Sequence, residues 1–407
     1  MRKTLISLGV LMRETRYIYM DHAATTFVKP DVIESMIPFL KEYFGNPSSL
    51  YPLGRENKEA IETAREKLAK ALGAKPEEIY FTSGGTESDN WAIKGTAFSG
   101  RKRGKHIITT AIEHHAVLYP CEYLEGHGFD ITYLPVDRYG LVDPAELEAA
   151  LREDTILISV MYANNEIGTI EPIQEIGKVA KENDVLFHTD AVQAIGAVPL
   201  DMKQKHKDVD MLSLSSHKFY GPKGAGALFI REGTKIDNFM HGGGQERGKR
   251  AGTENVAGIV GMGKAIELAT ANIEKHNAEI LKMRDRLLSG VLEIPDCRLN
   301  GHPEKRLSGN LNFSFEYIEG ESLLLMLDQM GVCSSTGSAC SSGSQEISHV
   351  LKAIGLTPEI AQGSLRLTLG DANSEEDIDY VLNVLPEIVG KLRNMSPFYK
   401  PGSTCGK

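Results

Sequence analysis

The chain has 407 residues, 41% apolar and 25% charged, which suits a globular protein of two or three domains. Acidic residues outnumber basic ones 55 to 45, and the formal charge of −10 excludes the basic field that a nucleic-acid surface needs. The five cysteines (Cys121, Cys297, Cys333, Cys340, Cys405) form no C-x-x-C pair and are too few for a disulfide framework, which argues against a zinc knuckle and for a reducing cytoplasm.

Residues 4–12 form an apolar run behind Arg2 and Lys3. The run is short and no small-residue cleavage site follows, so it reads as a first strand or an extension, not a signal peptide. No other stretch approaches the ~20 apolar residues of a membrane span. Residues 55–72 predict an amphipathic helix closed by Gly73. Short apolar runs then predict strands at 78–82, 106–110, 131–135, 156–161, 185–188, 211–214 and 227–230, with helices such as 172–183 between them. That alternation predicts an α/β fold with a mostly parallel, seven-stranded sheet. Residues 256–293 read as one long helical bridge. Beyond it come a strand at 310–315, helices at 319–330 and 349–354, and a strand at 364–369. Ser374 opens a last helix, with Asp377 as its capping-box partner. The expected organisation is a large domain over 18–264. A smaller α+β domain over 265–394 takes in the N-terminal segment 1–17, and 395–407 form a tail.

Four motifs carry chemistry. Ser83-Gly84-Gly85-Thr86-Glu87-Ser88 joins a strand to a helix. Its glycines and helix N-terminus suit an anion, although a plain strand–helix turn explains it about as well. Asp190 ends the strand of Val185–Gln193, where ligands of doubly wound sheets bind. A carboxylate there can pair with a protonated pyridine nitrogen, or merely cap the next helix. Lys218 ends the next strand, in Ser215-Ser216-His217-Lys218 before a Gly/Pro turn. It is a candidate Schiff-base amine, with a solvated loop lysine as the plain alternative. The two motifs are about 28 residues apart, the length of one helical crossover. The fourth motif, residues 331–344, is rich in Ser and Gly and contains Cys333 and Cys340. It predicts a loop between two helices that presents a reactive thiol, and spacing does not say which cysteine reacts. Glu113-His114-His115, Asn164-Asn165-Glu166 and Arg366 are further polar groups at strand positions, and Arg366 suits a bidentate grip on a carboxylate. The Gly-rich, cationic segment 241–253 suits a phosphate or a partner subunit.

In combination these motifs resemble the cysteine desulfurases, of the class V aminotransferase group of fold-type-I pyridoxal-phosphate enzymes. The resemblance runs from Tyr19-Met-Asp21-His-Ala-Ala-Thr-Thr26, through Gly45-Asn46-Pro47-Ser48-Ser49, to the final helix. The long cysteine loop is similar to that of the iron–sulfur-cluster and nitrogen-fixation branch. Thr336 stands where serine is common, and about a dozen extra residues precede the first match.

The resemblance implies that Lys218 carries pyridoxal 5'-phosphate, Asp190 pairs with its ring nitrogen and Gln193 contacts the ring oxygen. It implies that His114 stacks on the ring and joins Lys218 and Cys340 in catalysis. Gly85, Thr86, Ser215, Ser216 and His217 would hold the phosphate, with Thr253 reaching over from the other subunit of a homodimer. Asn165, beside the cofactor, and Arg366 would bind the substrate carboxylate. The implied reaction converts L-cysteine to L-alanine. It leaves sulfur on Cys340 as a persulfide, for an acceptor or scaffold protein of iron–sulfur cluster assembly. No standing metal site, membrane contact or direct nucleic-acid contact is expected, with Cys340 available as a transient cluster ligand. The rivals are a selenocysteine lyase or another class V aminotransferase-type enzyme, and a non-enzymatic sulfur or cluster carrier.

Overall fold

The computed structural model of the chain describes residues 17–100, 102–336 and 347–399. Strand β1 (Ile18–Tyr19) leads to helices α1 (Pro30–Lys41) and α2 (Pro52–Leu72). Each helix begins on a proline, whose missing N–H has no partner to lose in a first helical turn. Gly73 closes α2 at φ 62°, the left-handed conformation glycine adopts most readily. The chain then alternates: β2 (Ile79–Thr82), α3 (Gly85–Gly100), β3 (His106–Thr110), α4 (His115–Glu125), β4 (Asp130–Leu134), α5 (Pro144–Ala150), β5 (Thr155–Ser159), α6 (Ile173–Glu182), β6 (Leu186–Asp190), β7 (Met211–Ser215) and β8 (Gly226–Ile230). All seven strands expected from the apolar runs are present in the sheet, within two residues of the expected ends.

Their spatial order is β2-β8-β7-β6-β5-β3-β4. Only β8 runs against its neighbours; the remaining pairs are parallel. Parallel strands need both faces covered. One face packs on α2, α6 and α7 through Leu68, Ile176 and Met262, and the other on α3 and α4 through Trp91, Ile93 and Val117. Because the strands are parallel, the carboxyl ends of β3, β5, β6 and β7 share one edge.

The single helix expected over 256–293 is two helices, α7 (Val256–Thr270) and α8 (Ile273–Val291), that meet at 72°. Asn272 breaks the run with non-helical φ and ψ of −148° and 46°. The bend serves two cores at once. Ala265 and Ile266 of α7 pack into the large-sheet core, whereas Ile280 and Leu287 of α8 pack with the second sheet.

The rest of the chain is β9 (Cys297–Leu299), β10 (Asn310–Phe315), α9 (Gly320–Gln329), β11 (Val332–Cys333), α10 (His349–Ala353), α11 (Pro358–Gln362), β12 (Ser364–Thr368) and α12 (Glu375–Met395). β10 lies between β9 and β12, antiparallel to both, over a core of Phe313, Phe315, Leu365, Ile378 and Leu385. The capping box of Ser374 and Asp377 forms at the start of α12.

A second expectation needs correction. Cys333 does not sit in an irregular loop: it pairs in parallel with Tyr19 of β1, and its carbonyl accepts from the Met20 N–H at 2.8 Å. Buried Val332 beside it supplies the apolar anchor. Cys340 lies outside the described residues, as do residues 4–12 and Cys405. Among the described residues no single helix is long and apolar enough to cross a membrane.

Candidate active site

Strand β7 ends at Ser215 and runs into one 3-10 turn, Ser216–Lys218. The chain then folds back tightly at Gly221, where a Cβ would stand 2.0 Å from Ser216 Oγ. The turn directs Lys218 Nζ to the N-terminal segment. There it donates to the carbonyls of Ala23 at 2.5 Å and Ala24 at 2.9 Å. Gln193 Nε2 donates to the same Ala23 carbonyl at 3.0 Å, which brings lysine and glutamine together.

On the neighbouring strand, β6 ends at Asp190. Its buried carboxylate accepts from the Val192 N–H at 2.9 Å. Burial pushes this acid up to about 6, against the pull of the Lys218 ammonium. Asp89 of α3 is also fully buried and is pushed well up by burial and by Asp190. Two such carboxylates hold one negative charge between them. Lys218 favours placing it on Asp190. His188, two residues earlier, lies between the hydroxyls of Ser159 and Ser213, each at 2.9 Å. Burial pushes it down to about 3, so it is a neutral spacer.

Beyond β3, His114 caps α4, its Nδ1 accepting from the Ala116 N–H at 3.1 Å. The neutral ring therefore keeps its proton on Nε2. Burial, then the charge of Lys218, pushes it down to about 4. An uncharged aromatic ring within the field of Lys218 suits stacking on a planar ligand. His115 is used otherwise: it stacks on Tyr119 with centroids 4.7 Å apart. No group of three His, Cys, Asp or Glu among the described residues could hold a metal ion.

The β2–α3 junction forms an anion cradle. A Cβ on Gly226 would stand 2.5 Å from Gly84 Cα, and one on Gly85 would stand 2.7 Å from Val192 Cγ2. Side chains at these points would clash with the Gly84 backbone and the Val192 methyl, so the glycines let the strand end and the helix start pack closely. The first-turn N–H groups of Gly85 and Thr86 have no acceptor within the helix. Ser215 borders Gly85, its Cβ lying 3.7 Å from that same Cβ position. His217 Nδ1 shares a hydrogen bond with the Thr25 hydroxyl at 3.0 Å, and burial pushes it down to about 4. The structure thus brings Ser215 against Gly85, with Thr86 next along the helix and His217 two residues beyond Ser215. It does not group two other candidates with them. The Ser216 hydroxyl is buried against Gly221, and Thr253 is exposed in its own chain, in a hollow of about 120 Å³ beside Thr82 and Ser83.

The last part joins the two sheets. Arg366 of β12 is almost wholly buried. Its Nη1 donates to the Asn165 carbonyl at 3.0 Å and its Nη2 to the Asp21 carboxylate at 2.8 Å. Asn310 of β10 also donates to the Asn165 carbonyl, at 3.3 Å. Asn164 shapes this turn, its side-chain oxygen accepting from the N–H groups of Glu166 at 2.8 Å and Ile167 at 2.9 Å. A cavity of about 280 Å³ touches Lys218 and Gln193 but not Asp190 or Arg366.

The family described as Aminotransferase class-V matches residues 18–381. The chain belongs to the class-V aminotransferase family. Among relatives of this class-V aminotransferase, a protein named Cysteine desulfurase IscS from Methanosarcina thermophila is 64% identical over 384 residues, 94% of this chain and 95% of that protein. A protein of the same name from Clostridium botulinum is 58% identical, covering 95% and 97%. A solved structure described as a NifS-like protein superposes with a TM-score of 0.87 at 43% identity, covering 93% of this chain and all of that one. Another, described as SspA in complex with cysteine, has a TM-score of 0.76 at 40% identity, covering 86% and 98%.

Pyridoxal phosphate fits the residues present. Neutral donors and a glycine-lined helix N-terminus suit its phosphate, buried Asp190 needs a cation such as a protonated ring nitrogen, and Lys218 supplies the amine.

Proposed function

We propose that this chain is a pyridoxal-phosphate-dependent cysteine desulfurase that serves iron–sulfur cluster assembly. The observation that carries the reading is the placement of Lys218 beside Gln193, with buried Asp190 on the neighbouring strand end and the anion cradle at the β2–α3 junction. The near-full-length identity to proteins named cysteine desulfurase supports it.

When bound, pyridoxal phosphate supplies an imine-forming carbonyl and an electron-withdrawing ring that weakens bonds at the α and β carbons of an amino acid. Lys218 would hold the group through its amine and, when that amine is free, would move a proton at the substrate Cα. Asp190 keeps a negative charge at the ring nitrogen. Neutral His114 would stack on the ring, and its Nε2 proton would be available to the substrate. Gly85, Thr86, Ser215 and His217 would hold the phosphate, with the partner subunit's Thr253 completing that end in the homodimer. Asn165 and Arg366 hold the substrate carboxylate.

The Cys340 thiolate attacks the substrate sulfur. An S–S bond forms as the Cβ–S bond breaks, and the electron pair remains with the carbon skeleton. That skeleton gains a proton and leaves as L-alanine, so no outside oxidant is needed. The persulfide on Cys340 then passes to an acceptor protein, and Cys340 is available as a transient ligand to the cluster being built. The strand pairing of half-buried Cys333 with Tyr19 supports Cys340 as the acceptor. Burial, with Asp328 and Asp21 nearby, pushes the Cys333 thiol up and disfavours its thiolate.

A homodimer is favoured by the apolar surface on and after α1. Leu40, Phe44 and Leu50 are 68%, 78% and 89% exposed, an unusual cost for a chain acting alone. A cytoplasmic setting suits the free thiols Cys121, Cys297 and Cys333.

The test is incubation of the purified holoenzyme with L-cysteine. Alanine should form, and mass spectrometry should find one added sulfur on the Cys340 peptide. Keto-acid formation without alanine would favour an aminotransferase, and a protein without visible absorbance would favour a sulfur carrier.

A further inference from the structure

We infer that Asp21 is a positioning residue for the carboxylate grip, holding Arg366 in the orientation in which it receives the substrate. The inference rests on the reading of Arg366 as the carboxylate-binding residue. It starts from an inventory of one guanidinium. Nη2 donates to Asp21 Oδ1 at 2.8 Å and Nη1 to the Asn165 carbonyl at 3.0 Å. Nε is buried and has no partner among the described residues. Arg366 is also fixed by its backbone. Its N–H donates to the Ser335 carbonyl at 2.6 Å, and its carbonyl accepts from the Ser335 N–H at 3.3 Å.

A guanidinium has five donors in a rigid plane, and a carboxylate reads two of them at once. Such recognition depends on the plane's orientation, because a tilted fork offers one good bond in place of two. The backbone of Arg366 is set by β12, but its side chain keeps rotatable bonds that only side-chain partners can fix. The Asn165 carbonyl fixes one corner of the plane and Asp21 fixes a second. Asp21 is itself held. Its carbonyl accepts from the Tyr19 hydroxyl at 3.0 Å, and the residue bridges to Thr368 of β12.

The placement of Asp21 in the chain adds a second consequence. Two and three residues later, Ala23 and Ala24 hold Lys218 Nζ. One short segment therefore sets both the residue that meets the substrate amine and the residue that meets its carboxylate. The spacing between these two grips selects an α-amino acid. The ion pair also offsets the charge of Arg366, so the site does not attract anions at large.

The experiment compares Asp21→Asn, Asp21→Ser, Asp21→Glu and Arg366→Lys as holoenzymes. In Asp21→Asn and Asp21→Ser, KM for L-cysteine should rise roughly ten- to hundredfold, the span of one charge-assisted hydrogen bond, while kcat stays within about threefold. The spectral titration with L-alanine should weaken by the same factor, and the visible cofactor band without ligand should not move. Asp21→Glu should recover part of the loss, because it restores the charge. If one neutral variant fails to fold, the other carries the measurement. A KM within about twofold of the parent in Asp21→Asn or Asp21→Ser, alongside a raised KM in Arg366→Lys, overturns the inference and leaves the Arg366 reading intact. An unchanged KM in Arg366→Lys overturns that reading instead.

Discussion

Replacing Asp190 by Asn should stabilise the cofactor-free protein and weaken the holoenzyme. Asp190 is fully buried, and its value of about 6 lies roughly 2 units above the ordinary 3.8. At 1.36 kcal/mol per unit, keeping it ionised above pH 6 costs the apoprotein about 3 kcal/mol. The sign follows from the raised value. The folded state prefers the protonated acid, so this stabilisation is complete below pH 3.8 and is lost as the pH rises through 6. Asn is neutral at every pH and removes the cost. It accepts the Val192 N–H less strongly, which returns about 1 kcal/mol. The net expectation at pH 7.5 is an apoprotein about 2 kcal/mol more stable than the parent. Once a protonated ring nitrogen stands opposite, the same substitution removes a buried ion-pair partner, at about 3–5 kcal/mol. The apoprotein gain of about 2 kcal/mol and this loss add in the binding cycle, so cofactor affinity should fall by about four to five orders of magnitude, on the scale of about 1.4 kcal/mol per tenfold. The assay is urea denaturation of apo and holo forms at pH 7.5, with a fluorescence titration of pyridoxal phosphate. An Asn variant less stable than the parent as apoprotein, or equal to it in cofactor affinity, would refute the electrostatic argument.

Cys340→Ser should abolish persulfide and alanine formation while the cofactor spectrum remains, whereas Cys333→Ser should retain most turnover; the reverse pattern, read by alanine release, would move the nucleophile to Cys333. Glu246→Ala should destabilise the fold by about 3–5 kcal/mol, because it strands a buried guanidinium. Glu246 accepts from Arg65 Nη1 and Nη2 at 2.8 Å each and from the Phe81 N–H at 2.8 Å, and both side chains are 3% exposed. Adding Arg65→Met should recover part of the loss in denaturant unfolding. His188→Asn should narrow its stability gap to the parent as the pH falls from 7 to 5. The parent's folded value of about 3 is depressed from the ordinary 6.5, so the unfolded chain takes up the proton first. The parent should therefore lose about 2 kcal/mol over that interval that the variant does not.

Much of the fold is legible in the sequence because buried parallel strands leave a plain signature. The run Ile156–Ile158 is apolar on both faces, and it falls in a strand of the large sheet. Gly73 and the Ser374–Asp377 pair mark helix ends through local chemistry that no distant contact has to supply. The bend at Asn272 is different. Neither Gly nor Pro marks it, and it exists because two cores draw α7 and α8 apart. Strands of two residues, such as β1 and β11, are too short for any period to register, so Cys333 reads as loop until its partner Tyr19 is in place.

The site divides in the same way. His114 takes its role from the family resemblance alone, whereas Lys218 and Asp190 are visible because an ionisable residue at or just past the end of an apolar strand is unusual. Their supports are not. Lys218 is held by the carbonyls of Ala23 and Ala24, and a carbonyl has no residue identity to read. Asp89 and Asp21 carry no mark of their roles along the chain until the fold buries one beside Asp190 and sets the other against Arg366. The reacting groups are thus written in side chains, whereas the geometry that makes them act together is written in backbone and long-range packing. Substitutions at the first set should change chemistry. Those at the second should change how well unaltered chemistry is aimed, and the KM of Asp21→Asn, against the dead Cys340→Ser, measures that distinction directly.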